Sequence, residues 1–276
     1  MPTDADNVLR DLEAIRTRNP VVLSITNYVV TNTTANALLA IGASPIMSHA
    51  VEEMAELVAI SGALVINLGT VAAEYLAAMD PAWAAANAAN VPVVLDPVGA
   101  GASRLRTATP LALLARRKAC IVRGNASEIM TLAGAADSGA KGVDSTARSD
   151  DAASFADSLA ERLGCAVVVS GEADIVCQGT GQGTGQGGNR ARVLGGSPLM
   201  PRVTGLGCTA TAICGAFAAV NKNPFEAALH ACVAMKIAGE MAAEKAAGPG
   251  TLQLHLYDAL YAMGEKDVRA RIKVVR

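Results

Sequence analysis

Five short apolar runs rich in β-branched residues recur along the chain, separated by Ala-rich helical stretches. They are Val21-Val22-Leu23-Ser24-Ile25, Leu64-Val65-Ile66-Asn67-Leu68, Val93-Val94-Leu95, Cys120-Ile121-Val122 and Val167-Val168-Val169. Strands that are continuously apolar, rather than alternating, are buried on both faces. The pattern therefore predicts an α/β fold, with a mainly parallel central sheet and helices on both faces. In such sheets ligands sit beyond the carboxyl ends of the strands. Asn67, Asp96, Arg123 and Ser170 are expected at those ends, where four polar side chains on neighbouring strands converge on one crevice.

A chain of 276 residues, 51% hydrophobic with a mean hydropathy of +0.33, can bury a large core, and nothing in its composition suggests disorder. A single domain over residues 1–276 is expected. The 23 basic and 25 acidic residues leave no footprint for nucleic acid, and 3% aromatics leave no stacking platform for bases. A small-molecule role remains. The N-terminus is acidic and leads into an amphipathic stretch to Arg18, the opposite of a signal peptide, so a cytoplasmic location is expected. The six cysteines show no CxxC spacing, and five (Cys120, Cys165, Cys177, Cys214, Cys232) read as reduced core residues. Residues 203–220 carry no charge, but three glycines and three threonines favour a buried small-residue helix over a membrane span.

Cys208 has a chemical context. Val203-Thr204-Gly205-Leu206-Gly207-Cys208 runs into a helical segment, and glycines there let several free N–H groups converge where the helix dipole is positive. An anion is expected at Gly205 and Gly207, with a thiol beside it. A dinucleotide-binding reading of Gly205-x-Gly207-x-x-Ala210 needs a following strand and an acidic residue about twenty positions on; Glu226 is near that distance but falls in helix. After Cys208 the pattern is helical only, over 209–220, 224–245 and 252–263, before a possible short terminal strand. The Gly/Gln-rich segment 178–188 reads as a solvated hairpin tip between Ile175-Val176 and Val193-Leu194, and its GxGxxG match (Gly183, Gly185, Gly188) lacks a following helix.

Asp96 and Glu128 are carboxylates at or just past strand ends, suited to Mg²⁺ directly or through water, though a carboxylate in a helix's first turn, as at Glu128, also satisfies the dipole. Arg123 offers a planar fork for a phosphate oxygen. An anion cradle, carboxylates and an arginine together describe phosphoryl transfer, in which a protein mainly positions groups and neutralises charge. Cys208 then stands where an acceptor hydroxyl meets the γ-phosphate, able to accept its proton or a hydrogen bond. A helix start lowers a thiol's pKa and nearby phosphates raise it, so sequence leaves its ionisation open.

Ile25-Thr26-Asn27-Tyr28-Val29, Gly42-Ala43-Ser44-Pro45-Ile46-Met47, Asp96-Pro97-Val98-Gly99-Ala100-Gly101, Arg123-Gly124-Asn125-Ala126-Ser127-Glu128-Ile129, Gly142-Val143-Asp144-Ser145 and the Val203–Cys208 stretch together resemble hydroxyethylthiazole kinases, in order and spacing, from about residue 20 onward. The resemblance implies a ribokinase-like fold, ATP with Mg²⁺, phosphorylation of the primary alcohol of 4-methyl-5-(2-hydroxyethyl)thiazole towards thiamine, and a homotrimer with sites between subunits. It implies that Cys208 activates the acceptor, that Gly205 and Gly207 form the anion hole, and that Met47, Asn27 and Gly205 contact the thiazole. Arg123, Ser170 and Thr204 would contact ATP, with Asp96 and Glu128 on the metal side. Leu23-Ser24 stands where the family usually has His-Asn, and Leu206 where it usually has a small or hydroxylated residue. The residues alone leave open a related alcohol such as a hydroxymethylpyrimidine, a dinucleotide-dependent oxidoreductase, or a non-catalytic binding protein of the same fold.

Overall fold

In the computed structural model, residues 4–134, 152–179 and 188–276 are described. The Gly142–Ser145 motif and most of the Gly/Gln segment, Gly183 and Gly185 included, lie outside the described residues. The strands are β1 (Val21–Ile25), β2 (Ser44–Met47), β3 (Ala63–Asn67), β4 (Val93–Asp96), β5 (Ile121–Asn125), β6 (Ala166–Ser170), β7 (Asp174–Gln178), β8 (Asn189–Val193) and β9 (Val274–Val275). They form one sheet in the order β2-β1-β3-β4-β5-β6-β7-β8-β9, parallel through β6 and antiparallel beyond it. The apolar runs are the central parallel strands, as expected. β2 was not signalled by such a run, because Ser44-Pro45 interrupts it. As the edge strand, β2 tolerates a residue without an N–H.

One face of the sheet carries α1 (Asp4–Arg18), α2 (Thr31–Ile41), α8 (Leu206–Val220), α9 (Pro224–Ala243) and α10 (Pro249–Ala262). The other carries α3 (Met54–Ala59), α4 (Ala73–Ala88), α5 (Arg104–Leu114), α6 (Ala126–Ala133) and α7 (Ala153–Leu163). A short α11 (Glu265–Arg271), absent from the sequence reading, precedes β9. The strands thus bury both faces, which is why they read as unbroken apolar runs.

α8 crosses β1, β3, β4 and β5 and is buried over most of its length. Its residues are small because the approach is close: a Cβ on Gly215 would stand 2.7 Å from Val65 Cγ2 and 3.2 Å from Val22 Cγ1. No helix among the described residues is long and apolar enough to cross a membrane. All six cysteines are unpaired; Cys165, Cys177, Cys214 and Cys232 are buried, whereas Cys120 is only half-buried, at the edge of the core rather than inside it.

α1 is amphipathic, with Val8, Leu12 and Ile15 against the core. It is also locked by charge. Asp11 Oδ2 lies 2.6 Å from Nδ1 of the fully buried His230 on α9 and accepts from Asn221 Nδ2 at 2.5 Å. Burial pushes the Asp11 carboxyl up, but the bonds from His230 and Asn221 and the charges of His230 and Arg10 outweigh it and hold it below the ordinary carboxylate range.

Candidate active site

Side chains alternate along a strand with period two, so the register decides which face each polar residue serves. Val65, Val94, Ile121 and Val168 belong to the core on the α8–α9 side. Asn67, Asp96, Arg123 and Ser170, each two residues further on, share that face. The carboxyl edge of four neighbouring parallel strands therefore presents its polar groups to α8 and α9. Arg123 sits deeper than the sequence reading placed it: it is the third residue of a five-residue strand, not its end.

These groups form a buried chain. Asn27 Nδ2 donates to Asn67 Oδ1 at 2.8 Å and lies 3.5 Å from Cys208 Sγ. Asn67 Nδ2 donates to Asp96 Oδ2 at 2.9 Å, and Thr211 Oγ1 donates to the same oxygen at 2.7 Å. Arg123 Nη1 donates to the Gly207 carbonyl at 2.9 Å and reaches Thr211 Oγ1 at 3.5 Å. Asn27, Asn67, Asp96, Arg123 and Thr211 are all buried. Gly69 is required beside them, because the Asn27 amide occupies the space a Cβ would need, and Gly69 N donates to Asn67 Oδ1 at 2.9 Å. Asn67 was expected at this crevice without a specific role, and Thr211 was not singled out in the sequence reading. The signal for Thr211 was its place one helical turn after Gly207.

The start of α8 lies over this chain. Gly205 is its N-cap at φ +78°, a conformation that disfavours side chains, and a Cβ there would overlap Val30 Cγ1. No side chain caps the helix, so its first-turn N–H groups keep their capacity for an anion. Gly207 and Thr204 are exposed, and Leu206 turns partly into the core. Cys208, in the first turn, is half-buried. Burial, reinforced by the charge of Asp96, pushes its thiol up to about 12, so the sulfur is protonated at neutral pH.

Glu128 forms a capping box with Asn125 at the start of α6. Its Oε1 accepts from Gly99 N and its Oε2 from Asn125 N, each at 2.8 Å. Both carboxylate oxygens are thus engaged by the two loops that end β4 and β5. Burial raises Asp96 to about 6, and burial with the Asp96 charge raises Glu128 to about 7. Two carboxyls strained upward in a dry site are relieved by a cation. No cluster of three or more His, Cys, Asp or Glu that could hold a metal occurs among the described residues.

Ser170 closes β6, half-buried, its Oγ donating to the Gly124 carbonyl at 3.2 Å. Met47 ends β2, half-buried and in register with Ser24. Of the family departures, Leu23 is packed in the core and Ser24 is buried with no partner for its Oγ. The Gly205-x-Gly207-x-x-Ala210 motif follows a 3₁₀ turn over Met200–Arg202, not a strand, and Glu226 lies in the first turn of α9. The strand–turn–helix unit that gives a dinucleotide fingerprint its meaning is missing.

The fold is that of the ribokinase-like α/β proteins. The crystal structure of a ribokinase-like superfamily protein from Enterococcus faecalis V583 superposes with a TM-score of 0.59 at 13% identity, covering 94% of this chain and 90% of that one. The hydroxyethylthiazole kinase structure from Pyrococcus horikoshii OT3 gives a TM-score of 0.86 at 39% identity, over 97% and 98% of the two chains. A hydroxyethylthiazole kinase of Nitratidesulfovibrio vulgaris (strain DSM 19637 / Miyazaki F) is 53% identical over 271 residues, 98% of each chain. The model of the hydroxyethylthiazole kinase family matches residues 12–266. The chain belongs to the hydroxyethylthiazole kinase family, a family of phosphotransferases.

Proposed function

We propose that this chain, as one kinase domain over residues 1–276, transfers the γ-phosphoryl group of ATP to the primary hydroxyl of 4-methyl-5-(2-hydroxyethyl)thiazole, a salvage step towards thiamine. The observation that carries the reading is the meeting of an uncapped helix start with Cys208 directly above the Asn27–Asn67–Asp96–Thr211–Arg123 chain. The hydroxyl oxygen attacks the γ-phosphorus while the bond to the β,γ-bridging oxygen breaks. N–H groups at Gly205 and Gly207 stabilise the charge on the moving phosphoryl, a contribution of about 3 kcal/mol per well-aimed donor in comparable sites. A protonated Cys208 serves this step by orientation: its sulfur, itself receiving the Asn27 amide, accepts a hydrogen bond from the hydroxyl. A loose transition state holds the hydroxyl proton until late, when it passes to an oxygen of the transferred phosphoryl as ADP leaves, so a strong base is not required.

Met47 and Asn27 are assigned to the thiazole, with Gly205 at its alcohol end, and Arg123, Ser170 and Thr204 to the nucleotide. Arg123 acts from beneath, holding the Gly207 carbonyl so that the first turn of α8 keeps its aim. Asp96 and Glu128 fit Mg²⁺ as hard oxygen donors, Glu128 through water because its own oxygens are engaged. Held there, the ion would supply positive charge against that of the phosphates. A homotrimer with shared sites is proposed from the family; the exposed Tyr28 and Val29 next to Asn27 suit burial by a neighbouring subunit.

The test is ATP consumption with Mg²⁺ across a panel of thiazole, pyrimidine and sugar alcohols, with binding measured by calorimetry. The thiazole alcohol is expected to be the preferred acceptor. Cys208→Ala is expected to retain nucleotide binding and to lose most turnover; unchanged turnover removes Cys208 from the mechanism.

A further inference from the structure

α9 carries a lysine that the phosphoryl-transfer scheme does not use. Lys236 is buried, and its Nζ donates to the carbonyls of Gly171 at 2.8 Å and Glu172 at 2.9 Å, in the turn between β6 and β7. It also lies 3.3 Å from Asp174 Oδ1, which in turn accepts from Gly171 N at 3.0 Å. The ammonium is thus shared between two carbonyls and one buried carboxylate, all within a single four-residue turn. On its other side the lysine stem lies under a second loop. Gly195 and Gly196 have φ of +109° and +83°, and a Cβ on Gly196 would stand 3.1 Å from Lys236 Cδ.

A buried ion pair is a poor stabilising device, since an apolar pair of similar volume often does as well or better. What a buried lysine bonded to main-chain carbonyls supplies is geometry. The two loops that Lys236 joins have particular neighbours. The first begins immediately after Ser170, and the second leads through the Met200–Arg202 turn to Thr204 and Gly205. Each is joined along the chain to a residue of the proposed nucleotide site.

We propose that Lys236 is a positioning residue for the nucleotide, stitching the 171–174 turn and the 195–196 loop to α9 so that Ser170 and Thr204 hold a fixed separation. Its buried ammonium is taken up by two carbonyls and a carboxylate, so it acts through the loops and not by touching ATP. The inference rests on the reading that ATP lies between Ser170 and Thr204, and it makes the two loops one unit with α9.

The experiment starts with the wild-type enzyme, whose ATP-dependent phosphorylation of the thiazole alcohol tests that reading by itself. Lys236→Met, Lys236→Arg and the double variant Lys236→Met with Asp174→Asn are then compared by steady-state kinetics and thermal denaturation. The double variant removes both buried charges, so it recovers thermal stability without restoring the tether. The expected result is a rise of about tenfold in KM for ATP in Lys236→Met and in the double variant, with KM for the alcohol within about twofold and partial recovery in Lys236→Arg. A double variant with wild-type KM for ATP overturns the inference, as does a uniform fall in active enzyme with both KM values unchanged. Hydrogen exchange on the wild-type protein gives a second reading: a non-hydrolysable ATP analogue is expected to slow exchange at residues 171–173 and 195–197 together. Protection of one loop without the other overturns the inference. A wild-type enzyme that neither binds nor consumes ATP overturns the site reading instead.

Discussion

The two halves of the sheet's carboxyl edge are built differently. At β1, β3 and β4 side chain meets side chain: Asn27, Asn67, Asp96 and Thr211 hand hydrogen bonds to one another and end at Cys208. At β5, β6 and β7 cations hold main chain: Arg123 grips the Gly207 carbonyl and Lys236 the carbonyls of Gly171 and Glu172. On the proposed roles, the amides of the first half aim a small neutral acceptor while its Asp96 carboxylate serves the metal side. The second half must present loops to a polyanion, and buried positive charge both holds those loops and favours what binds there. The proposed roles thus put specificity for the alcohol and grip on the nucleotide on separable sets of residues.

The largest expected effect lies where the halves meet. Gly205→Ala forces a side chain into a left-handed conformation and against Val30, and should lower kcat/KM by about a hundredfold. A variant with near-normal kinetics and melting temperature would show that the helix start does not need this geometry. Next comes the pair that separates the halves. Asn67→Leu leaves Asp96 and Asn27 short of partners and should reduce kcat by about tenfold or more at unchanged KM for ATP. Arg123→Met should instead raise KM for ATP; equal effects of both variants on both parameters would erase the distinction. A smaller effect concerns Cys208 itself. With its thiol held at about 12, alkylation by iodoacetamide at about pH 8 should lag behind that of free cysteine, and the rate profile should show no rise in the ordinary thiol range. Faster labelling would restore a thiolate to the mechanism.

The smallest catalytic effect belongs to Asp11, remote from both halves. Its folded pKa lies below the unfolded one, so its contribution to stability is present above about pH 4 and is lost as pH falls through the folded value. Asp11→Asn should lower the melting temperature at neutral pH and leave both KM values unchanged. Altered kinetics there would mean that α1 couples to the site.

The parallel strands and the helix start were legible because each is a local pattern: an apolar run of fixed length, or two glycines before a helix. The face each polar residue serves was also latent in the period of two, yet the depth of Arg123 was not, because its strand continues through Gly124 and Asn125, past the end of the apolar run Cys120-Ile121-Val122. β2 escaped notice for the same reason of local composition, with Pro45 permitted only by the edge position. The bonds that define the site join residues far apart in sequence, Asn27 with Asn67 and Cys208, Asp96 with Thr211, Lys236 with Gly171. No spacing rule announces such pairs, because the sheet order brings them together. Glu128 showed both its possible roles in sequence, and the structure assigns its oxygens to capping the loops of β4 and β5.

The narrow seat of α8 against Val65 and Val22 at Gly215 has a mechanical result. A rod pressed that tightly along its shaft cannot pivot at its tip, so the amides at its leading end are preset before any reactant arrives. On the proposed reading of this site, the free energy released when a phosphate docks there need not assemble the cradle. It remains for the step in which the phosphoryl changes hands.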